Sequence, residues 1–502
     1  MLADCFSALF RAIADKADLP ALICHDQSLT WAELGRRIAA LHRAIDASPA
    51  PDGAPVLLLG HKEPDLVAAM IASALAGRPF VFADVSYPPA RVRQIIDTCG
   101  CALALRSLPE ADPCGLPVID AGSLPDAPPT EGRLDPADEG RLFYITFTSG
   151  STGVPKAIPI RRRSFSAFMG WFEPANTKSA GGNGAHVAHS SLAFDMSMSD
   201  IWTALFAGRS LYLMHHANTL NPRANLRQIL SQPSCPAGTL TATPAFFSLM
   251  LEDPQFSAEV LPDLRAFWIG GESVPKPLLR RLAQRFPGCE IHHAYGPSEV
   301  TCITHSRLLT ARDLVAEGPL PLGGEQAGMK VRVDDGSGGL LPRGEGEIVL
   351  LGPQVADGYL PADHPSNSSF GWHDGQRLYR TGDFGQIDLD GCLTIRGRID
   401  SQVKVNGHRV ELGEIERIAA EVPGVTVTVA LPAAEASPVK GLVLVVTGDA
   451  VDDTCLSAVR AHLKSRLPVW MVPAKIVRGE NLPVQISGKI DRRAARERFG
   501  MV

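Results

Sequence analysis

Short continuous apolar runs such as Pro55-Val-Leu-Leu-Leu-Gly60 alternate with stretches of helical periodicity such as Glu63 to Ala76 through the first half of the chain. Runs of the first kind read as strands covered on both faces, and stretches of the second kind as the helices that cover them. The pattern predicts a layered α/β body. At the N-terminus Asp4, Asp15, Lys16 and Asp18 interrupt the apolar positions, which describes an amphipathic helix and not a signal peptide. From Leu108 to Asp138 the chain is rich in Pro, Gly and Asp, and a long surface connection with little regular structure is expected.

The last hundred residues have a different grain. Asp390-Gly391 sits between Gln386–Leu389 and Cys392–Arg396, which predicts a hairpin. A second follows, with Asn406-Gly407 between Gln402–Val405 and His408–Val410, a dipeptide suited to the positive φ angles of a type I′ turn. Ile415, Ile418, Ala419 and Val422 then recur at helical spacing. Strands over Val425–Leu431 and Leu442–Val446, and a helix capped near Thr454 carrying Leu456, Val459, Leu463 and Leu467, complete a small α+β unit. The expected organisation is a large α/β domain over residues 1–399 and a small α+β lid over 400–502, divided between the hairpins near Asp400.

Composition narrows the function classes. With 502 residues, 45% of them apolar and 20% charged, the chain is ordinary globular material of more than one domain. Its 48 Lys+Arg against 54 Asp+Glu, a formal charge of −6, argue against a nucleic-acid partner held by a basic surface. The ten cysteines are scattered, and Cys99-Gly100-Cys101 lacks the Cys-x-x-Cys spacing of a redox or zinc site, so reduced thiols in a cytoplasmic protein are expected. The longest apolar stretches, such as Leu66 to Gly77, fall short of the ~20 residues that span a bilayer, and no membrane partner is expected.

The strongest local signal is the strand Leu142–Phe147 running into Thr148, Ser149, Gly150, Ser151, Thr152, Gly153 and Lys156. Glycines let backbone amides turn toward an anion, hydroxyls add donors and one lysine adds charge, so the segment reads as a phosphate cradle. It is not the Walker loop, because Pro155 precedes Lys156 and Ala157 follows it. Gly271-Glu-Ser-Val-Pro275 is not a nucleophile elbow either, since Pro275 replaces its second glycine.

Further motifs follow in order: Phe194-Asp-Met-Ser197; Ala294-Tyr-Gly-Pro-Ser-Glu299; Gly346 to Leu360; Tyr379-Arg-Thr-Gly-Asp383; Gly397-Arg-Ile-Asp-Ser-Gln-Val-Lys404 through Glu416; Leu467-Pro-Val-Trp-Met-Val-Pro473; and Ser487-Gly-Lys-Ile-Asp-Arg492. With the cradle, these make the chain resemble the adenylate-forming (ANL) superfamily of amino-acid adenylation enzymes and acyl-CoA synthetases. The resemblance runs from about Leu142 to the end. The departures are Ala157 for glycine, Phe384 for leucine and Ser487 for asparagine, and none removes a charged group.

The resemblance implies an ATP- and Mg²⁺-dependent ligase. A carboxylate attacks the α-phosphate, pyrophosphate leaves, and a thiol then displaces AMP from the acyl-adenylate. It implies that the loop Thr148–Lys156 holds the β- and γ-phosphates, that Glu299 with Thr148 ligates Mg²⁺, and that Tyr295 stacks on adenine beside Gly271, Glu272 and Gly296. Ser298 would reach the α-phosphate, Asp383 would accept the ribose hydroxyls and Arg398 would assist there. Lys489 would be the principal catalytic cation and Asp400 the hinge about which the small domain turns, bringing Lys404 and Gly407 to the thiol path.

In the amino-acid branch the aspartate of Phe-Asp-x-Ser pairs with the substrate's α-ammonium, which assigns that role to Asp195; the alternative is a helix N-cap. By position the pocket would add Met196, Ser199, Thr241, Trp268, Gly270, Ala294, Cys302 and Ile303. A large Trp268 flooring it suggests glycine, alanine (D-alanine included) or serine. His189 would gate the thiol entrance, or be an ordinary buried histidine. The expected function is a stand-alone amino-acid adenylation enzyme, of the kind that includes D-alanine–carrier protein ligases, loading the phosphopantetheine thiol of a carrier protein in trans. The stand-alone expectation rests on the length, with no carrier domain expected after Val502. The rivals are an acyl-CoA synthetase, against which Asp195 argues, and a non-catalytic nucleotide-binding protein, against which Glu299, Asp383 and Lys489 argue.

Overall fold

The computed structural model describes the chain apart from residues 26–27, 130–131, 133, 149–155, 182–183, 219, 400–401, 406–407, 434–440, 449–450, 480–481, 484–491 and 500–502. It falls into two compact units: residues Met1–Val85, Ile96–Thr146 and Ala157–Ile399, and residues Ser86–Ile95, Phe147–Lys156 and Asp400–Val502.

The apolar runs become strands of two large sheets. One has eight strands, with Glu290–Tyr295, Ala266–Ile269, Ala237–Ala242, Ala185–Ala188, Leu211–Leu213 and Pro20–Ile23 parallel at its centre. The other has six, in which Val118–Asp120, Leu103–Arg106, Val56–Gly60, Phe80–Asp84 and Leu142–Thr148 run parallel. Every residue of Val56–Gly60 and Phe80–Asp84 is buried, as the apolar runs Val56–Gly60 and Phe80–Ala83 demand, and the buried Asp84 carboxylate lies 3.1 Å from His61 Nδ1. Both sheets supply the main core: Leu58, Phe82 and Tyr144 from one, Leu211 and Trp268 from the other, with the aromatic helix residues Phe6, Phe165 and Trp202. The helix Trp31–Asp46 starts on a capping box, Thr30 accepting from the Glu33 amide while Glu33 accepts from the Thr30 amide. Among the described residues no helix is long and apolar enough to cross a membrane.

A third, antiparallel sheet carries Lys330–Asp334, Gly344–Leu351, Gln376–Ile387 and Leu393–Arg398. Along Gln376–Ile387 burial alternates, so Tyr379, Thr381, Asp383 and Ile387 share the inner row. A carboxylate on that row is the departure from a core pattern that marks a site.

In the second unit the hairpin Gln402–Val405/His408–Glu411 leads into the helix Leu412–Ala420, and Val427–Pro432, Leu442–Thr447 and Lys475–Arg478 form a sheet beside the helix Asp453–Arg466. Ile415, Ile418, Leu444, Val446, Val459 and Leu463 are its core. Two local expectations change. The connection Leu108–Asp138 contains the edge strand Val118–Asp120 and two 3₁₀ turns, because backbone groups there complete the ladder of Leu103–Arg106. The last long helix, expected to be capped near Thr454, has its cap at Asp452, which accepts from the Cys455 amide; the third strand Lys475–Arg478 carried no alternation strong enough to announce it. All ten cysteines are free thiols.

Candidate active site

Asp383 gathers one corner of the site. Its strand pairs antiparallel with Leu393–Arg398 so that Asp383 stands opposite Arg398, and Arg398 Nη1 donates to Asp383 Oδ1 at 2.5 Å. Tyr295, at the end of Glu290–Tyr295, donates its phenol to the other oxygen at 2.5 Å. The Asp383 amide donates to Thr381 Oγ1 at 3.0 Å. An ionised carboxylate has about four acceptor positions, so two remain for a pair of hydroxyl donors. Burial and the adjacent carboxylate push the Tyr295 phenol well above its ordinary range, keeping it a donor. Gly296 must be glycine, since a Cβ there would lie 2.0 Å from the Cys302 carbonyl oxygen.

The next residues form a strained loop. After the 3₁₀ turn Ser298–Val300, Thr301 and Cys302 have φ of 54° and 65°, a left-handed conformation that costs non-glycine residues roughly 1–2 kcal/mol each. Gln354 holds it. Its fully buried side chain donates to the carbonyls of Val300, Thr301 and Ile303 at 3.2, 3.3 and 3.0 Å, and accepts from Trp171 Nε1 at 3.0 Å. The loop turns Cys302 Sγ to donate to the Asp195 carbonyl at 3.0 Å. It also fixes Glu299, whose fully buried carboxylate accepts from Tyr359 Oη at 2.5 Å, with Tyr379 Oη 3.2 Å from that phenol. Tyr359→Phe removes a charge-assisted bond to a buried carboxylate. We expect a stability loss of roughly 1–3 kcal/mol, seen as a lower urea midpoint at unchanged slope.

The segment after Ala185–Ala188 leads through residues 189–194 to the helix Met196–Phe206. Asp195 occupies the N-cap position in right-handed backbone (φ −63°, ψ −22°), and its side chain makes no capping hydrogen bond. Capping therefore does not explain this carboxylate. Met196 reaches Gly271, where φ is +84° and a Cβ would meet Met196 Cε at 2.7 Å. A Cβ on Gly270 would lie 2.5 Å from the Ala294 carbonyl. Thr241, Trp268 and His292 are register neighbours on adjacent strands, and Trp268 lies flat on His292 (4.1 Å, 4°) with Phe172 at its edge. Trp268 shares its cluster with Ala294, Cys302 and Ile303. Ser199 is buried but donates to the Met196 carbonyl of its own helix at 2.6 Å. His189 stacks on Phe246 at 3.8 Å, and Glu272 accepts from the Ala245 amide.

In the second unit Lys156 Nζ lies 3.3 Å from Glu411 Oε1, both side chains buried. Gln402 Nε2 donates to that same oxygen, and Arg409 Nε donates to Gln402 Oε1 at 2.7 Å. Thr148 Oγ1 is buried with no hydrogen-bond partner among the described residues. Ser149, Gly150, Ser151, Thr152, Gly153, Asp400, Gly407 and Lys489 lie outside the described residues. Sequence reasoning passed over Tyr359, Gln354 and Lys62. A polar side chain inside the apolar run Ile348 to Leu360, and a lysine at the mouth of a buried strand, were the available signals.

A hard cation needs oxygen donors, and the buried Glu299 carboxylate and the buried Thr148 hydroxyl are of that kind. Among the described residues no group of three or more His, Cys, Asp or Glu side chains is arranged to hold a metal. Mg²⁺ commonly takes one or two protein oxygens and completes its shell with substrate phosphate and water, so a carboxylate such as that of Glu299 has the donor chemistry this ion needs.

A large layered α/β body followed by a small α+β unit, with these ordered motifs, is the arrangement of an acyl-adenylate-forming enzyme. The family model described as AMP-binding enzyme matches residues 9–360, and the chain belongs to that family. It is 32% identical over 480 residues to a D-alanine--D-alanyl carrier protein ligase of Bacillus velezensis, covering 93% of this chain and 94% of the relative. The ligase of the same name from Bacillus licheniformis is 30% identical over 495 residues, covering 96% of each. Among solved structures, PA1221, a protein containing adenylation and PCP domains, superposes with a TM-score of 0.82 at 28% identity, covering 98% of this chain and 84% of that one. The Vibrio cholerae adenylation domain AlmE superposes with a TM-score of 0.83 at 22% identity, covering 99% and 97%, and shares the fold.

Proposed function

We propose that this protein is an amino acid–carrier protein ligase. It adenylates a small amino acid (glycine, alanine including D-alanine, or serine) and transfers the aminoacyl group to the phosphopantetheine thiol of a carrier protein supplied in trans in the cytoplasm. Asp195 carries the reading: a carboxylate at a helix start, not spent on capping, in a chain aligned over nearly its whole length with D-alanine--D-alanyl carrier protein ligases. Those relatives make D-alanine the first substrate to try.

Each residue then has a task. Asp195 would neutralise the substrate ammonium, and an acid lacking an amine would leave that carboxylate unpaired. Asp383 would accept the ribose hydroxyls while Arg398 and the Tyr295 phenol hold it in place. Tyr295, Gly271, Glu272 and Gly296 would frame adenine, and Ser298 would reach the α-phosphate. Lys156 and the loop from Thr148 would hold the β- and γ-phosphates; Lys156 must then exchange Glu411 for phosphate oxygen. Glu299 and Thr148 would hold Mg²⁺, which screens phosphate charge when bound. Lys489 would bring its ammonium to the attacking carboxylate and the α-phosphate, and the small domain, residues 400–502, would turn about Asp400 between the half-reactions.

Pyrophosphate exchange across the proteinogenic amino acids, D-alanine, β-alanine and a set of fatty and aryl acids tests this. Exchange driven by a small amino acid is expected. Exchange driven by fatty or aryl acids and by no amino acid would install the acyl-CoA synthetase instead. ATP binding with no exchange from any acid would make the protein a nucleotide binder.

A further inference from the structure

Lys62 follows the buried strand Val56–Gly60 and is itself only 7% exposed. Its Nζ donates to three successive carbonyls, Ala188 at 3.0 Å, His189 at 2.7 Å and Ser190 at 3.0 Å. An ammonium has three hydrogens and no acceptor, so every donor it owns is used. Three consecutive carbonyls meet one cation only where the chain curls around it. These residues close the strand Ala185–Ala188 and open the segment that ends at Asp195.

Taking an ammonium out of water costs several kcal/mol unless it is hydrogen-bonded and near opposite charge. A turn that needs only its carbonyls satisfied can use a neutral amide, as Gln354 does for residues 300–303. Here a full charge is buried instead, and Asp200 on the helix Met196–Phe206 supplies the largest opposing field. Asp200 is itself fully buried, with His186 Nε2 at 3.1 Å. Downstream, Phe194 N donates to Ser191 O at 3.0 Å, and Met198 N and Cys302 Sγ donate to the Asp195 carbonyl at 2.8 and 3.0 Å. The segment is therefore held at both ends, by Lys62 where it leaves the sheet and by the Cys302 loop where it enters the helix.

We propose that Lys62 is a positioning residue of the amino-acid subsite: its ammonium fixes the carbonyls of residues 188–190 and so the place from which Asp195 meets a substrate ammonium. The inference rests on the reading of Asp195 given under Proposed function. Burial pushes the Lys62 ammonium down to about 8, opposed by Asp200, Cys24 and Glu63, the charged and titratable groups that act on it. It is protonated at neutral pH and loses its proton as pH rises through that value. The neutral amine keeps two hydrogens, and its lone pair then faces the third carbonyl.

The test is pyrophosphate exchange by the full-length protein as wild type, Lys62→Met and Lys62→Arg, with KM measured separately for amino acid and ATP between pH 6.5 and 9.5. For Lys62→Met we expect about a tenfold or larger rise in amino-acid KM, with ATP KM within about twofold of wild type. Wild-type amino-acid KM should rise above about pH 8, more steeply than the limb from the substrate's own ammonium, which both proteins share. Lys62→Met should lack that extra limb. Lys62→Arg keeps its charge throughout this range and should restore part of the affinity without the limb. Equal changes in both KM values, or identical alkaline limbs in wild type and Lys62→Met, would overturn the proposal. Should Lys62→Met fail to fold, Lys62→Arg and the wild-type profile decide it. Amino-acid-driven exchange with an unchanged Lys62→Met KM would sink this inference alone, whereas no amino-acid-driven exchange in wild type would remove the functional reading and this inference with it.

Discussion

Asp195→Ala is expected to weaken amino-acid binding by roughly 3–5 kcal/mol, a hundred- to several-thousand-fold rise in KM, while leaving ATP binding nearly unchanged. The magnitude is that of removing one partner of a buried ion pair, the role proposed for Asp195. The same substitution separates the two explanations of the residue. An aspartate that caps a helix costs about 0.5–2 kcal/mol of stability when replaced by alanine. Asp195 makes no capping bond, so no capping contribution is lost, and its interaction with the helix dipole is worth about 0.3–1 kcal/mol. The expected pair of results is a strongly raised amino-acid KM beside a loss of unfolding free energy in urea of less than about 1 kcal/mol. An amino-acid KM within about twofold of wild type would mean that the ammonium binds elsewhere.

Lys489→Ala is expected to slow adenylate formation by about a thousandfold or more while ATP binding largely persists. In-line attack by a carboxylate on the α-phosphate brings two anions together, and little covalent chemistry is available to the protein. Charge placed at the reacting atoms is therefore the main lever, and removing one such group costs about 10²–10³ even where it is a neutral donor. Single-turnover adenylate formation measures the loss, and equilibrium dialysis with ATP measures what is kept. Transfer from preformed aminoacyl-adenylate to the carrier should survive the substitution, because the repulsion that Lys489 is proposed to relieve belongs to the first half-reaction. Near-normal adenylation by the variant would take the lysine out of the mechanism.

Alternation and turn chemistry made much of the fold legible. Val56–Gly60 and Phe80–Ala83 carry unbroken apolar runs because both faces are covered, and Asp390-Gly391 closes a hairpin. The edge strand Val118–Asp120 was hidden because exposed edge residues need no apolar face. The ordered motifs supplied the candidate site residues, yet none of them announced the Gln354 amide that holds Thr301 and Cys302 in left-handed backbone. Nor did they distinguish Asp195 as a ligand from Asp195 as a cap.

From its sequence alone the chain determined most of its strands and helices and the identity of the groups available for chemistry, because those follow from spacing and residue type along a few turns. Tertiary structure decided what those groups do to one another. Lys62 and the carbonyls it grips are 126 to 128 positions apart, and Tyr295 and Asp383 are separated by 88. No periodic signal spans such distances. Only packing of the sheets and loops brings a buried ammonium to three carbonyls, or a phenol to a carboxylate, and the energy of those contacts depends on the burial that packing creates.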